Sequence, residues 1–188
     1  MTHLGFPDQE AVLDALRAWD AAEEWPSGAH AIVVLMGASA LPFYFDRPAR
    51  STEDIDALLR TSDALPDRLR QIAARLGLSF RAEGVAWLPA GWEERARWSP
   101  ARFEHLTVGW LDPIDWIVSK LGRWQKQDPE DALSVARRVD AVEPRQRVLN
   151  ALPDYVGDPR WIAWAWRDLA EALGLPQEMW RLDRPQDA

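Results

Sequence analysis

IVVLMGASALPFYFDRPARSTEDIDALL, residues Ile32 to Leu59, is the stretch from which the rest of the chain is read. Its first residues, Ile32 to Met36, are apolar and mostly β-branched, which predicts a short buried strand. Gly37-Ala38-Ser39 ends that strand, and Ala40, Leu41, Phe43, Tyr44 and Phe45 suit the first turns of a helix. Arg47-Pro48 and the polar residues to Thr52 predict a loop. A second strand follows, in which Asp54 and Asp56 stand among Ile55, Ala57, Leu58 and Leu59.

The order of these pieces carries chemistry. A Gly and a small hydroxyl residue between strand and helix let an anion approach the backbone, where free N–H groups and the positive end of the helix dipole face it. Alternate side chains of a strand share a face, so the spacing of Asp54 and Asp56 predicts two neighbouring carboxylates. Asp is disfavoured in strands, and paired carboxylates repel unless a cation lies between them; hard divalent ions such as Mg²⁺ select such oxygens. A phosphate cradle at Gly37 and Ser39 followed by this pair is the equipment of metal-assisted phosphoryl or nucleotidyl transfer. Each feature also has a plainer reading: a solvated strand edge for the acids, and a Ser-capped turn for Gly-Ala-Ser.

With Gly37-Ala38-Ser39 and Ser51-Thr52-Glu53-Asp54-Ile55-Asp56, the chain resembles the DNA polymerase β-like nucleotidyltransferase superfamily, and most closely its minimal bacterial forms related to abortive-infection and toxin–antitoxin nucleotidyltransferases. Ala38 stands where many relatives have a second Gly. A second block, Asp112-Pro113-Ile114-Asp115-Trp116-Ile117-Val118-Ser119-Lys120-Leu121 and then Gln127-Asp128-Pro129-Glu130-Asp131, is similar to the group's Lys-Leu helix and its following Arg/Lys-Asp-x-x-Asp element, with Gln127 in the basic position. The resemblance implies an α/β (α+β) fold, a short mixed sheet flanked by helices with a helical C-terminal region. It further implies Mg²⁺ or Mn²⁺ on Asp54 and Asp56, a nucleoside triphosphate as substrate, and Lys120 on the triphosphate or on charge growing in the transferred group. Asp128 or Asp131 would then place Lys120 or a substrate hydroxyl. The superfamily often adds a third carboxylate from a later strand, for which Glu104 is the first candidate and Glu83 the next. The plainer readings are a rim lysine with its stem over apolar surface, and an acidic first helical turn.

Composition sets the outer bounds. The 188 residues are enough for one domain or for a domain with a helical appendage, divided here as 1–111 and 112–188. Hydrophobic and charged fractions of 47% and 28% are those of a soluble globular protein, with cytoplasmic placement as the default. No apolar run is long enough to span a bilayer, and the first residues lack a signal-peptide pattern. The absence of Cys removes disulfides, thiolate catalysis and zinc–sulfur sites.

A net charge of −8 argues against a broad DNA- or RNA-wrapping surface. Residues 67–147, with 14 basic and 12 acidic side chains, are slightly basic by themselves and leave room for a local phosphate site. The 12 Trp are spread from Trp19 to Trp180, which favours packing for most of them; Trp161, Trp164 and Trp166 do not share one stripe, and any left exposed would mark an interface. His3, His30 and His105 have no ligand or triad spacing.

Along the rest of the chain, a helix is predicted over 8–24, with Val12, Leu13, Leu16 and Trp19 on its apolar side, and another from Ser62 or Asp63 to Gly77. Leu78–Arg81 suits a strand, Gly84–Leu88 an extended piece, and Phe103–Leu111 a further strand that carries Glu104. Helices follow from Asp112-Pro113 through Trp124, from an Asp128 cap through Val139, over 144–152, and over 159–173. Two functions of different class fit this reading. One is a metal-dependent nucleotidyltransferase acting on an RNA 3′ end, a protein side chain or a small molecule, with a toxin–antitoxin or phage-defence setting implied by the resemblance. The other keeps the fold, loses the chemistry, and binds a nucleotide or a cognate partner protein.

Overall fold

The computed structural model describes residues 6–45, 51–61, 64–81, 87–140 and 142–182. The chain forms two compact units, one from the described parts of Met1–Val85 and Ala96–Leu111, the other from those of Ala86–Arg95 and Asp112–Ala188.

The first unit is built on a five-stranded mixed sheet. Its strands are β1 (Ala31–Leu35), β2 (Ile55–Thr61), β3 (Leu78–Arg81), β4 (Arg97–Trp98) and β5 (Leu106–Trp110), in the order β3-β2-β1-β5-β4. β1 runs antiparallel to β2 and parallel to β5, with Leu35 opposite both Ala57 and Trp110. β2 and β3 are parallel, while β4 and β5 are antiparallel. One face of the sheet, carrying Ala31, Val33, Leu35, Ile55, Ala57 and Val108, is almost wholly withdrawn from water. The apolar stripe expected on α1 (Gln9–Asp20) is the one it buries: Val12, Leu13, Leu16 and Trp19 are all core residues, and Asp8 caps the helix by accepting from the Ala11 N–H. Indole N–H groups tie this layer down. Trp19 Nε1 donates to the Leu69 carbonyl on α2 (Asp67–Arg75) at 3.1 Å, and Trp25 Nε1 to the Trp19 carbonyl at 2.8 Å.

Four local expectations are corrected in this unit. The segment after Gly37 is a 3₁₀ helix over Gly37–Phe43, with Pro42 inside it, rather than an α-helix. The strand expected from Phe103 begins only at Leu106, because the Asp20 carboxylate at the end of α1 accepts the Glu104 and His105 N–H groups, each at 2.8 Å, and withdraws them from strand pairing. The two-residue β4 had no periodicity to announce it. The helix expected from Ser62 or Asp63 begins only at Asp67, since Ala64 to Pro66 are not helical. The expected loop at Arg47-Pro48, most of the extended piece at 84–88 and the candidate Glu83 lie outside the described residues.

In the second unit α4 (Pro113–Leu121) is the central element, buried from Pro113 through Val118 and again at Lys120 and Leu121. Asp112 caps it through the Ile114 N–H, with Pro113 in the first turn as its sequence dictates. α5 (Asp128–Ala136), α6 (Val142–Ala151) and α7 (Pro159–Ala172) pack around it, together with the short α3 (Trp92–Arg95). α4 was expected to reach Trp124; it stops at Leu121, and Trp124 takes a left-handed backbone with φ 39°.

The side chain that joins these helices is Asp115, fully buried on α4. It accepts from Arg95 Nε (2.8 Å) on α3 and from Arg147 Nη1 (2.7 Å) on α6. Asp115→Ala is expected to lower the unfolding free energy by about 3 kcal/mol, toward the lower end for a broken buried pair, because both arginines are partly exposed and regain water. Urea denaturation of the variant measures it.

Candidate functional site

The candidate site in the first unit is made where β1 ends and β2 begins. Met36 leaves β1 with its N–H on the Asp56 carbonyl at 3.0 Å, so the turn is fastened to the carboxylate strand by backbone before any side chain acts. Gly37 then adopts φ 57°, a left-handed conformation that costs other residues about 1–2 kcal/mol. Space makes the same demand: a Cβ at Gly37 would lie 2.9 Å from Asp56 Oδ2. The Asp56 carboxylate is therefore held directly against the backbone of the turn, on the side that only a glycine leaves open. Gly37→Ala is expected to lose about 1–3 kcal/mol of stability, the usual cost of a strained backbone, and to push the carboxylate off the turn; thermal melting measures the first effect and a crystal structure of the variant the second.

Ser39 is buried, and its hydroxyl, expected to meet a phosphate, lies 2.6 Å from the Met36 carbonyl and 2.8 Å from the Asp56 carbonyl. One hydroxyl proton serves both acceptors. Ser39 thus acts as an internal strut between the turn and β2. The segment behind it is a seven-residue 3₁₀ helix in place of the α-helix that the sequence suggested.

Asp54 lies one residue before β2, in a bend, and is exposed. Asp54 therefore stands outside the strand alternation expected to set it beside Asp56. What positions it is Thr52, whose backbone pairs with Phe6 and whose hydroxyl donates to the Asp54 carbonyl at 2.8 Å. Among the described residues the Asp54 carboxylate makes no ion pair. Glu104 is not brought to this place. The parallel register of β1 and β5 sets Leu106 opposite Ala31 and Trp110 opposite Leu35, so Glu104, just before β5, stands at the end of the sheet away from Asp56. Its side chain is 84% exposed. Among the described residues no group of three or more His, Asp or Glu side chains is arranged to hold a metal.

In the second unit Lys120, Asp128 and Arg123 form a compact charged cluster. Asp128 accepts from Lys120 Nζ at 2.8 Å, from Arg123 Nε and Nη2 at 2.9 Å each, and from the Gln125 N–H at 2.8 Å. Asp128 was expected as the cap of α5; it is instead the first residue of that helix, and its carboxylate is consumed by these partners. Lys120 is 2% exposed, with its ammonium also 4.8 Å from the centre of the Trp116 ring. Burial pushes the Lys120 ammonium below the ordinary lysine range, and the neighbouring Asp128 charge offsets only part of this. Burial alone would raise the Asp128 carboxyl; the Arg123 hydrogen bond, then the charge and hydrogen bond of Lys120, outweigh it and hold the group below the ordinary aspartate range. Asp131, also buried, adds to the negative charge that Lys120 feels.

The sequence reading passed over Asp20 and Asp115. The signal for Asp115 was present, a carboxylate inside the apolar run of α4. For Asp20 there was none, since its partners lie more than eighty residues away in the chain.

Chemically, the Asp56 carboxylate against the glycine turn is a hard oxygen donor, and a divalent ion such as Mg²⁺ commonly takes one or two protein carboxylates and completes its shell with water and substrate phosphates. A family model described as a nucleotidyltransferase of unknown function (DUF6036) matches residues 18–151, a span that contains Gly37, Asp54, Asp56, Lys120, Asp128 and Asp131. No curated protein and no solved structure matches the chain.

Proposed function

Because the chain belongs to this family of nucleotidyltransferases of unknown function, we propose that it moves a nucleoside monophosphate from a nucleoside triphosphate to an acceptor hydroxyl, with Mg²⁺ or Mn²⁺ held by Asp54 and Asp56. The observation that carries this reading is the Asp56 carboxylate lodged against the left-handed Gly37 backbone. The ion, when bound, supplies charge neutralisation on the phosphates and lowers the barrier to forming the attacking oxyanion. The acceptor oxygen forms a new bond to the α-phosphorus, the bond to the β-phosphate oxygen breaks, and pyrophosphate leaves. The exposed Asp54 carboxylate is open to take the acceptor's proton, while Asp56 stays fixed by the turn. Gly37 leaves the space in which the Asp56 carboxylate sits, and Ser39 keeps the turn in register with β2. The phosphate-side role that the resemblance assigns to Lys120, Asp128 and Asp131 is a separate proposal, tested by whether Lys120→Met alters triphosphate binding.

Acceptors consistent with the reading are an RNA 3′ end, a protein side chain or a small molecule. The test is incubation of the protein with Mg²⁺ or Mn²⁺ and each α-labelled triphosphate against RNA and a cell lysate. Transfer of label that disappears in Asp56→Asn supports the site; transfer that survives the substitution removes it. A toxin–antitoxin or phage-defence setting belongs to the same proposal, and is tested by whether Asp56→Asn relieves growth arrest on expression.

A second reading has its own observation. Trp161 and Trp164 on α7 are 43% and 52% exposed, with ring centres 5.0 Å apart, whereas Trp166 is buried. An exposed indole pair suits a protein contact, and in that reading the chain binds a partner and transfers nothing. Absence of label transfer with either metal, together with intact nucleotide binding, would favour it.

A further inference from the structure

Trp98 lies on the sheet face that carries Asp56. The register fixes this without reference to any side-chain contact. Trp98 is opposite Gly109, Gly109 opposite Val34, and Val34 opposite Leu58; directly opposed residues share a face, and so do Leu58 and Asp56, two apart on β2. The indole also lies over its neighbour strand: a Cβ on Gly109 would come to 2.6 Å from Cε3 and 2.9 Å from Cζ3 of Trp98. Gly109 is therefore the absence that lets the benzo ring rest on the β5 backbone. Despite this support Trp98 remains 45% exposed and makes no ring contact among the described residues. A large apolar ring backed by a strand and open to solvent has the form of a stacking platform.

We infer that Trp98 is the platform on which the base of the bound nucleotide stacks, with its phosphates at Asp56 and Gly37; this inference rests on the nucleotidyl-transfer reading. A strand spacing of ~4.8 Å and a rise of ~3.4 Å per residue put the Gly109 and Asp56 Cα atoms about 12 Å apart; Val34 and Leu58 between them are buried, so the nucleotide reaches from ring to carboxylate over a filled face and not along a groove. Stacking on an indole is tolerant of base identity, because every base has a π face. A single nucleotide fits this face better than a nucleic acid strand does, since a chain of net charge −8 has no broad cationic surface to follow a phosphate backbone.

The test compares ATP, GTP, CTP and UTP with inorganic tripolyphosphate, each with Mg²⁺, by calorimetric titration of the whole chain. Trp98→Ala is expected to weaken all four nucleotides about ten- to a hundredfold, the worth of one stacked base, and to leave tripolyphosphate binding unchanged. Trp98→Phe is expected to recover most of the loss. Gly109→Ala displaces the ring without removing it and is expected to reproduce the selective loss. Equal loss for nucleotides and tripolyphosphate, or no loss for either, overturns the inference. The transferase reading fails separately, if tripolyphosphate binding ignores both Mg²⁺ and Asp56→Asn while the base effect at Trp98 persists. Retention of neither ligand by the unaltered protein removes both.

Discussion

Asp56→Asn is expected to abolish nucleotidyl transfer while leaving the first unit folded. Two contacts that fasten Asp56 to the turn run through its backbone. Its carbonyl accepts from the Met36 N–H and, with the Met36 carbonyl, shares the Ser39 hydroxyl proton. The amide variant keeps that carbonyl, the volume of the side chain and its fit beside Gly37. What it loses is the negative charge against the turn. Neutralising charge on a transferred phosphoryl group supplies several kcal/mol of the lowered barrier, so a fall of about a thousandfold or more is expected, each ~1.4 kcal/mol being a factor of ten. Label transfer at saturating Mg²⁺ and triphosphate measures the rate, and circular dichroism confirms the fold. Asp54→Asn, at an exposed residue before the strand, is expected to fall less steeply if its part is to accept the proton. Activity unchanged in Asp56→Asn would end the mechanism, whatever became of the family.

Asp128→Ala is expected to be the most damaging substitution for stability, at about 3–5 kcal/mol. It removes the carboxylate on which Lys120, Arg123 and the Gln125 N–H converge, and leaves a 2%-exposed ammonium facing Trp116 with the weaker influence of Asp131 in its place. Lys120→Met is expected to cost less, because an apolar chain of similar length suits the buried site and Arg123 still pairs with Asp128. Chemical denaturation of both variants and of the double variant isolates the coupling between them.

The same cluster fixes the sign of the pH dependence. Asp128 has a folded pKa held below its ordinary value near 3.8, so its contribution is fully present above that value and is lost as pH falls through the lower folded one. Lys120 is lowered from 10.5, so the unfolded chain holds this proton more tightly. Its contribution to stability rises with pH from the lowered value up to 10.5. Since Lys126 is the one other lysine in the chain, isotope-labelled lysine reads the Lys120 titration against a single reference signal. Denaturation midpoints that do not fall in acid would contradict the Asp128 assignment.

The mixed α/β class, the strands at Ile32 and Ile55, the stripe on α1, the Asp112-Pro113 start of α4 and the Pro159 start of α7 all followed from the sequence, because each depends on neighbours a few residues away. Periodicity, caps and proline act at that range, and so does the placing of Gly37 before Asp56. Tertiary structure alone decided the rest. The start of β5 depends on Asp20, drawn from the far side of the chain to hold two N–H groups that a strand would otherwise use. Glu104 looked eligible as a third acid on sequence, but the β1–β5 register sends it to the other end of the sheet. Asp128 reads as an ordinary helix cap until the turn after α4 folds Lys120 and Arg123 onto it. Trp98 gave no pattern, and it acquires a face only when Gly109 is set opposite it. Local propensity chooses an element; which side chains meet is settled by register and by the long-range pairing of charges, and neither leaves a mark within a window of sequence.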